Sequence, residues 1–216
     1  SSKNLEVDIY PSGVLGAEPS TVEMVQAGVL DMAKVSANTL GQFDERYSIF
    51  SLPYLFRDQE HYYNAMANSE GIQELFESTR DKGYIAIGYY ANGARNYYLK
   101  EDKAVTDPSV LKGKKIRAMV SSTSMEMIEL MGGSPVPMAS SETYTSLQQG
   151  IVDGAENTEL ALTVDKHEEI VKSYTYTEHQ YSPDIYIIST KKWNSLTKEQ
   201  QDYLVECLEK TNENFK

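Results

Sequence analysis

Apolar positions along this chain recur at two periods, and the periods take turns. In "LEVDIYP" (5–11), Leu5, Val7 and Ile9 alternate with polar partners until Pro11, which predicts a strand. "STVEMVQAG" (20–28) sets Val22 and Val25 on one helical face and stops at Gly28, and "LDMAKVS" (30–36) predicts a strand again. "SEGIQELFESTRDKG" (69–83) places Ile72, Leu75 and Phe76 at helical spacing with Gly83 as its stop. "YIAIGYY" (84–90) is continuously apolar or aromatic, as in a strand covered on both faces. Helices follow at "STSMEMIELMGG", "ETYTSLQQG" and "ELALTVDKHEEIV", a strand at "DIYIIST", and a last helix at "TKEQQDYLVECLEK". That helix opens on a capping box from Thr197 to Gln200. Alternation of this kind predicts an α/β architecture with mostly parallel sheets.

One strand raises a chemical question. In "LKGKKIRAMV" (111–120), Ile116, Ala118 and Val120 face one way, and Arg117 and Met119 the other. A guanidinium keeps its charge in a protein, so Arg117 on a covered sheet face needs an anion. Either the protein supplies it, as a buried ion pair, or a bound molecule does.

Charge narrows the field. With 20 basic against 32 acidic side chains the net charge is −12, and no Lys/Arg stripe offsets it, which argues against a nucleic-acid surface. A site for an anion would then be a local exception to the overall field. No apolar run reaches the ~20 residues of a membrane span, and no basic-then-apolar leader opens the chain. The single cysteine, Cys207, excludes an internal disulfide and any CxxC motif. Its place in "YLVECLEK" predicts a small core residue on a face with Tyr203, Leu204 and Leu208.

The search for catalytic motifs is negative: there is no GxGxxG, P-loop, GxSxG or HExxH. His61, His167 and His179 are scattered and read as surface or structural residues. No cofactor and no metal are expected. What remains is a set of polar side chains at strand ends. "NGARNYY" puts Arg95 just past the strand 84–90, and "DGAEN" (153–157) puts Asn157 in a glycine-containing turn between helices. In open α/β sheets ligands bind beyond the carboxyl ends of strands. Two arginines and an amide converging there would grip a carboxylate and a neighbouring oxygen. Spacing alone leaves a structural pair for Arg117 equally open.

Several segments together resemble the DctP family of solute-binding proteins from tripartite ATP-independent periplasmic (TRAP) transporters. They are "IYPSGVLGAE", "GVLDMAKVS", "SLPYLFRDQEH", "NGARNYY", "LKGKKIRAM", "GGSPVPMASSETYTSLQQGIVDGAEN" and "YSPDIYIIST". The resemblance implies a two-domain periplasmic-binding-protein-like α/β fold with an inter-domain cleft and crossing strands. Domain I would comprise 1–91 plus 183–216, without the family's first strand and helix. Domain II would comprise 92–182, and the family's C-terminal helical extension would be absent. The resemblance also makes Arg117 the carboxylate-gripping arginine, with Arg95 and Asn157 beside it. It places Glu18 near the cleft, and Ser36, Asn38, Thr39 and Ser140 where relatives vary with substrate. Ser36 stands where sialate-binding relatives carry glutamate, and Ser140 where many carry phenylalanine; both departures point away from sialate. The implied protein is no enzyme. It is a periplasmic or extracytoplasmic monomer, free or anchored through an upstream lipoprotein segment. It would take a small organic acid, a sugar acid or dicarboxylate, to the membrane components of a TRAP transporter. An α/β enzyme or a ligand-sensing module acting on a carboxylated metabolite would use the same pocket.

Overall fold

The computed structural model describes residues 5–213. Its strands are β1 (Met32–Ser36), β2 (Tyr84–Tyr90), β3 (Arg95–Leu99), β4 (Lys115–Ala118), β5 (Ser134–Pro137), β6 (Gly154–Asn157), β7 (Ser173–Gln180) and β8 (Asp184–Ser189). Its α-helices are α1 (Glu18–Gln26), α2 (Ala37–Leu40), α3 (Gln59–Asn68), α4 (Glu70–Glu77), α5 (Ser122–Leu130), α6 (Thr143–Gln149), α7 (Glu159–Val164), α8 (Thr190–Ser195) and α9 (Lys198–Glu213).

Two sheets divide the chain. One has the order β1-β8-β2 and the other β5-β4-β6-β3-β7. The chain leaves the first sheet after Tyr90 and returns to it at Asp184, so both connections run from one sheet to the other. Each sheet has its own core. Val22, Val25, Val35, Leu40, Phe50 and Ile187 pack on one face of the first, and Ile85, Ile87 and Ile188 meet α9 on the other. The second sheet buries Tyr97, Leu99, Ile116 and Ala118 against α5, and Tyr98 and Ala155 against Leu147 of α6.

The α/β class stands, with one refinement to the expectation of mostly parallel sheets. Parallel pairing is confined to β4 with its neighbours β5 and β6, while the other four ladders are antiparallel. Parallel neighbours need a helical crossover, which α5 supplies between β4 and β5. Strand β8 instead returns from the far sheet, and so runs against both β1 and β2.

Four local expectations change, and one is that the helix predicted over "ELALTVDKHEEIV" stops at Val164, before Lys166 at φ 57. Residues 5–11 form no strand: Val7 and Ile9 are 63% and 80% exposed, because their backbone finds no ladder partner among the described residues. "DGAEN" is a strand rather than a turn. Gly154 lets β3 approach so closely that an added Cβ would sit 2.4 Å from the Tyr98 carbonyl oxygen. Cys207 is exposed. The partly buried apolar stripe of α9 runs through Leu204, Val205 and Leu208, one position round from the predicted face. The capping box is as expected, with Thr197 N–H to Gln200 Oε1 at 3.0 Å and Gln200 N–H to Thr197 Oγ1 at 3.3 Å.

Candidate functional site

Strand register places Arg117. It pairs with Val136 on β5 and Ala155 on β6, Ala155 pairs with Tyr98 on β3, and Tyr98 with Tyr174 on β7. These five side chains form one row on the face toward α6 and α7, and Ala155 is the small residue between the guanidinium and the Tyr98 ring. Beneath the row, Tyr98 Oη lies 2.9 Å from Nδ1 of the fully buried His167, whose pKa burial pushes down.

Arg117 is 4% exposed. It donates to the Met138 carbonyl from Nη2 at 2.9 Å and from Nε at 3.3 Å. Among the described residues no carboxylate stands within 4.0 Å of it. Burial pulls its pKa down, and Arg95 adds to that against the opposing charge of Glu156. A guanidinium does not deprotonate, so the direction of the shift marks a charge that burial leaves poorly compensated.

Arg95 is the opposite case. Its Nε and Nη2 meet the two Glu156 carboxylate oxygens at 2.5 and 2.9 Å, Nη2 also reaches the Glu156 carbonyl at 2.8 Å, and Nη1 donates to Asn157 Oδ1 at 2.9 Å. Glu156 is fully buried, with His179 Nε2 at 3.4 Å from Oε2. Burial alone would raise the Glu156 pKa, yet the charge and hydrogen bonds of Arg95, with His179 close by, bring it down to about 2. Asn157 Oδ1 accepts from Arg95 and from the Thr158 N–H, which leaves its amide NH2 for another acceptor.

Four of the other predicted residues, Glu18, Ser36, Asn38 and Thr39, gather at the end of β1. Glu18, the first residue of α1, accepts from the Ser36 N–H at 3.1 Å and from the Thr39 hydroxyl at 2.5 Å. Burial, and then the charge of Asp184, raise its carboxyl pKa. Ser36 Oγ caps α2 by accepting from the Asn38 N–H at 3.1 Å, and lies 3.9 Å from Met119 Sδ just beyond β4. Asn38 donates to Ser124 on α5 at 3.2 Å and accepts from Ser182 at 2.6 Å. Ser140 is exposed, two residues past the Met138 carbonyl that holds Arg117. Arg117, Arg95 and Asn157 therefore belong to the five-stranded sheet, and Glu18, Ser36, Asn38 and Thr39 to the other. Residues 119–124 run between the two groups. Two depressions of about 540 and 450 Å³ lie along α3 and share no residue with either group.

The sequence reading passed over Glu156. The signal was there: in "DGAEN" the acid alternates with Ala155 and Asn157, so on a strand it faces the side opposite Arg117.

Two sheets are thus joined by two crossing connections, and Arg117 is a buried guanidinium that meets no carboxylate among the described residues. The chain matches the family model for bacterial extracellular solute-binding proteins, family 7 (DctP), over residues 1–216, and it belongs to that family. This is a family of substrate-binding proteins, not of enzymes. The chain is 45% identical over 200 residues to YiiZ of Salmonella typhimurium, covering 92% of this chain and 60% of that protein, so it spans about three fifths of that relative. A TRAP periplasmic solute-binding protein from Anaerococcus prevotii with bound α/β-D-glucuronate superposes with a TM-score of 0.92 at 38% identity, over 97% of this chain and 68% of that one. Another, from Sulfitobacter sp. NAS-14.1 with bound β-D-galacturonate, gives 0.91 at 32% identity, over 97% and 69%.

Proposed function

We propose that this protein captures a small sugar acid, of the uronate class, between its two sheets and delivers it to the membrane components of a TRAP transporter outside the cytoplasm. The observation that carries the reading is Arg117, a buried guanidinium without a carboxylate of its own. The ligand's carboxylate is the missing anion. Asn157 NH2 and the remaining Nη1 hydrogen of Arg95 lie toward neighbouring ligand oxygens. At the other end Glu18, with Ser36 and Thr39, accepts from hydroxyl groups and disfavours a second carboxylate, so a hydroxylated monocarboxylate suits the site better than a dicarboxylate.

In this reading residues 1–91 with 183–216 form one lobe and 92–182 the other. The acid touches both, so its binding free energy favours the closed arrangement. Charge-assisted hydrogen bonds contribute about 1.5–3 kcal/mol each, and three of them with apolar walls account for micromolar binding, about −8 kcal/mol. Isothermal titration of D-glucuronate and D-galacturonate tests this. Binding is expected for the wild type and lost in Arg117→Ala, and stabilisation by neutral or cationic compounds alone would overturn it.

A further inference from the structure

We propose that Asn38 is a positioning residue for binding, a latch that holds the two sheets together without touching the ligand. The inference rests on the reading above, in which an acid is enclosed between the sheets. Asn38 lies in α2 and is 3% exposed. Its carboxamide is engaged at both ends by protein: Oδ1 accepts the Ser182 hydroxyl at 2.6 Å, and Nδ2 donates to Ser124 Oγ at 3.2 Å. Ser182 sits on the connection from β7 to β8, and Ser124 on α5 beside the five-stranded sheet. One side chain thus ties α2, a crossing connection and the opposite sheet's helix, with Ser124 and Ser182 themselves 1% and 6% exposed. A second bond runs in parallel, from Gln42 Nε2 to the Val120 carbonyl at 2.8 Å. Both bridges join residues 36–42 to residues 119–124, the segments that separate if the sheets move apart.

A bond made only in the closed form shifts the closing equilibrium by its own free energy, about two- to twelvefold for a neutral pair. Because both partners belong to the protein, the shift is equal for every ligand the cleft encloses. A side chain touching the ligand would change the discrimination between ligands instead.

The test is titration of D-glucuronate and its C4 epimer D-galacturonate against wild type and Ser124→Ala, which removes the latch's acceptor. Both affinities should weaken by the same factor, about two- to twelvefold, through faster dissociation. A second measurement does not depend on the ligand's identity. Spin labels at Val29→Cys and Leu130→Cys, both exposed positions, in a Cys207→Ser background report the separation of the sheets. In that protein Ser124→Ala should shift the distance distribution. Unchanged affinities with unchanged distances would overturn the latch. So would an unequal change of the two affinities in Asn38→Ala, which would put Asn38 against the ligand. A wild type that binds neither acid would reject the ligand reading alone, and the distance shift would still decide the latch.

Discussion

Arg95 and Arg117 stand two strands apart in one sheet, on either side of β6, and both are buried, at 7% and 4% exposure. Their surroundings differ in one respect that matters. Arg95 has a carboxylate fixed on it in a two-pronged pair, while Arg117 has a backbone carbonyl and, among the described residues, no carboxylate in contact. The register explains the difference. Glu156 pairs with Tyr97 and faces α5, whereas Ala155, its neighbour, faces the Arg117 side. A single acid, placed by strand alternation on one face of β6, serves one arginine and leaves the other unserved. Equal burial therefore comes with unequal pairing: one guanidinium is tied into an ion pair within the sheet, and the other, in the function proposed above, takes its anion from outside.

The largest effect should come from breaking the served pair. Arg95→Ala leaves Glu156 buried and unpaired, at about 3–5 kcal/mol of stability, and urea denaturation without ligand measures it. A loss under about 1 kcal/mol would mean that the pair is not structural. The same pair sets a pH dependence. Its folded carboxyl lies below the ordinary 4.5, at about 2, so its stabilisation is present above about pH 4.5 and is lost as pH falls toward about 2. Glu156→Gln should flatten the acid limb of the stability profile across that window. Equal slopes for the two proteins would count against the assignment.

Next in size is the unserved arginine. Arg117→Ala should change ligand-free stability by no more than about 1 kcal/mol, because no protein acid is orphaned. It should cost more than about 2 kcal/mol of affinity for D-glucuronate. Arg117→Lys should recover part of that, since an ammonium lacks the planar fork. A stability loss in Arg117→Ala as large as that in Arg95→Ala would erase the contrast altogether.

The smallest effect concerns the acidic end. Glu18→Gln removes a charge that burial and Asp184 already disfavour. The change should narrow the preference for D-glucuronate over succinate by about 1 kcal/mol or less, the scale of a through-space interaction in a wet cleft. Competition titration reads this directly, and a preference that widens would place Glu18 away from the ligand.

Legibility in the sequence followed the locality of the forces. Helices α1, α4, α5 and α6 could be read because caps, glycine stops and apolar spacing act within a few residues. Strand β6 could not: a run of glycine, alanine, glutamate and asparagine has little strand propensity, and pairing on both edges makes it a strand. The reading of Arg117 as a residue set against its apolar neighbours survived, because alternation along one strand is local. The partner of Arg95 did not emerge, although Glu156 stood in a segment already singled out.

By itself, then, the chain's order of residues determined the alternating elements, the face on which Arg117 lies, and a family likeness carried by motifs such as "KIRAM" and "DGAEN". Only the tertiary structure decided which arginine receives the acid and which stays without one. The reason is physical: Arg95 and Glu156 are 61 residues apart in sequence. Their meeting depends on the register of β3 against β6, and a shift of one residue there would turn the acid to the other face.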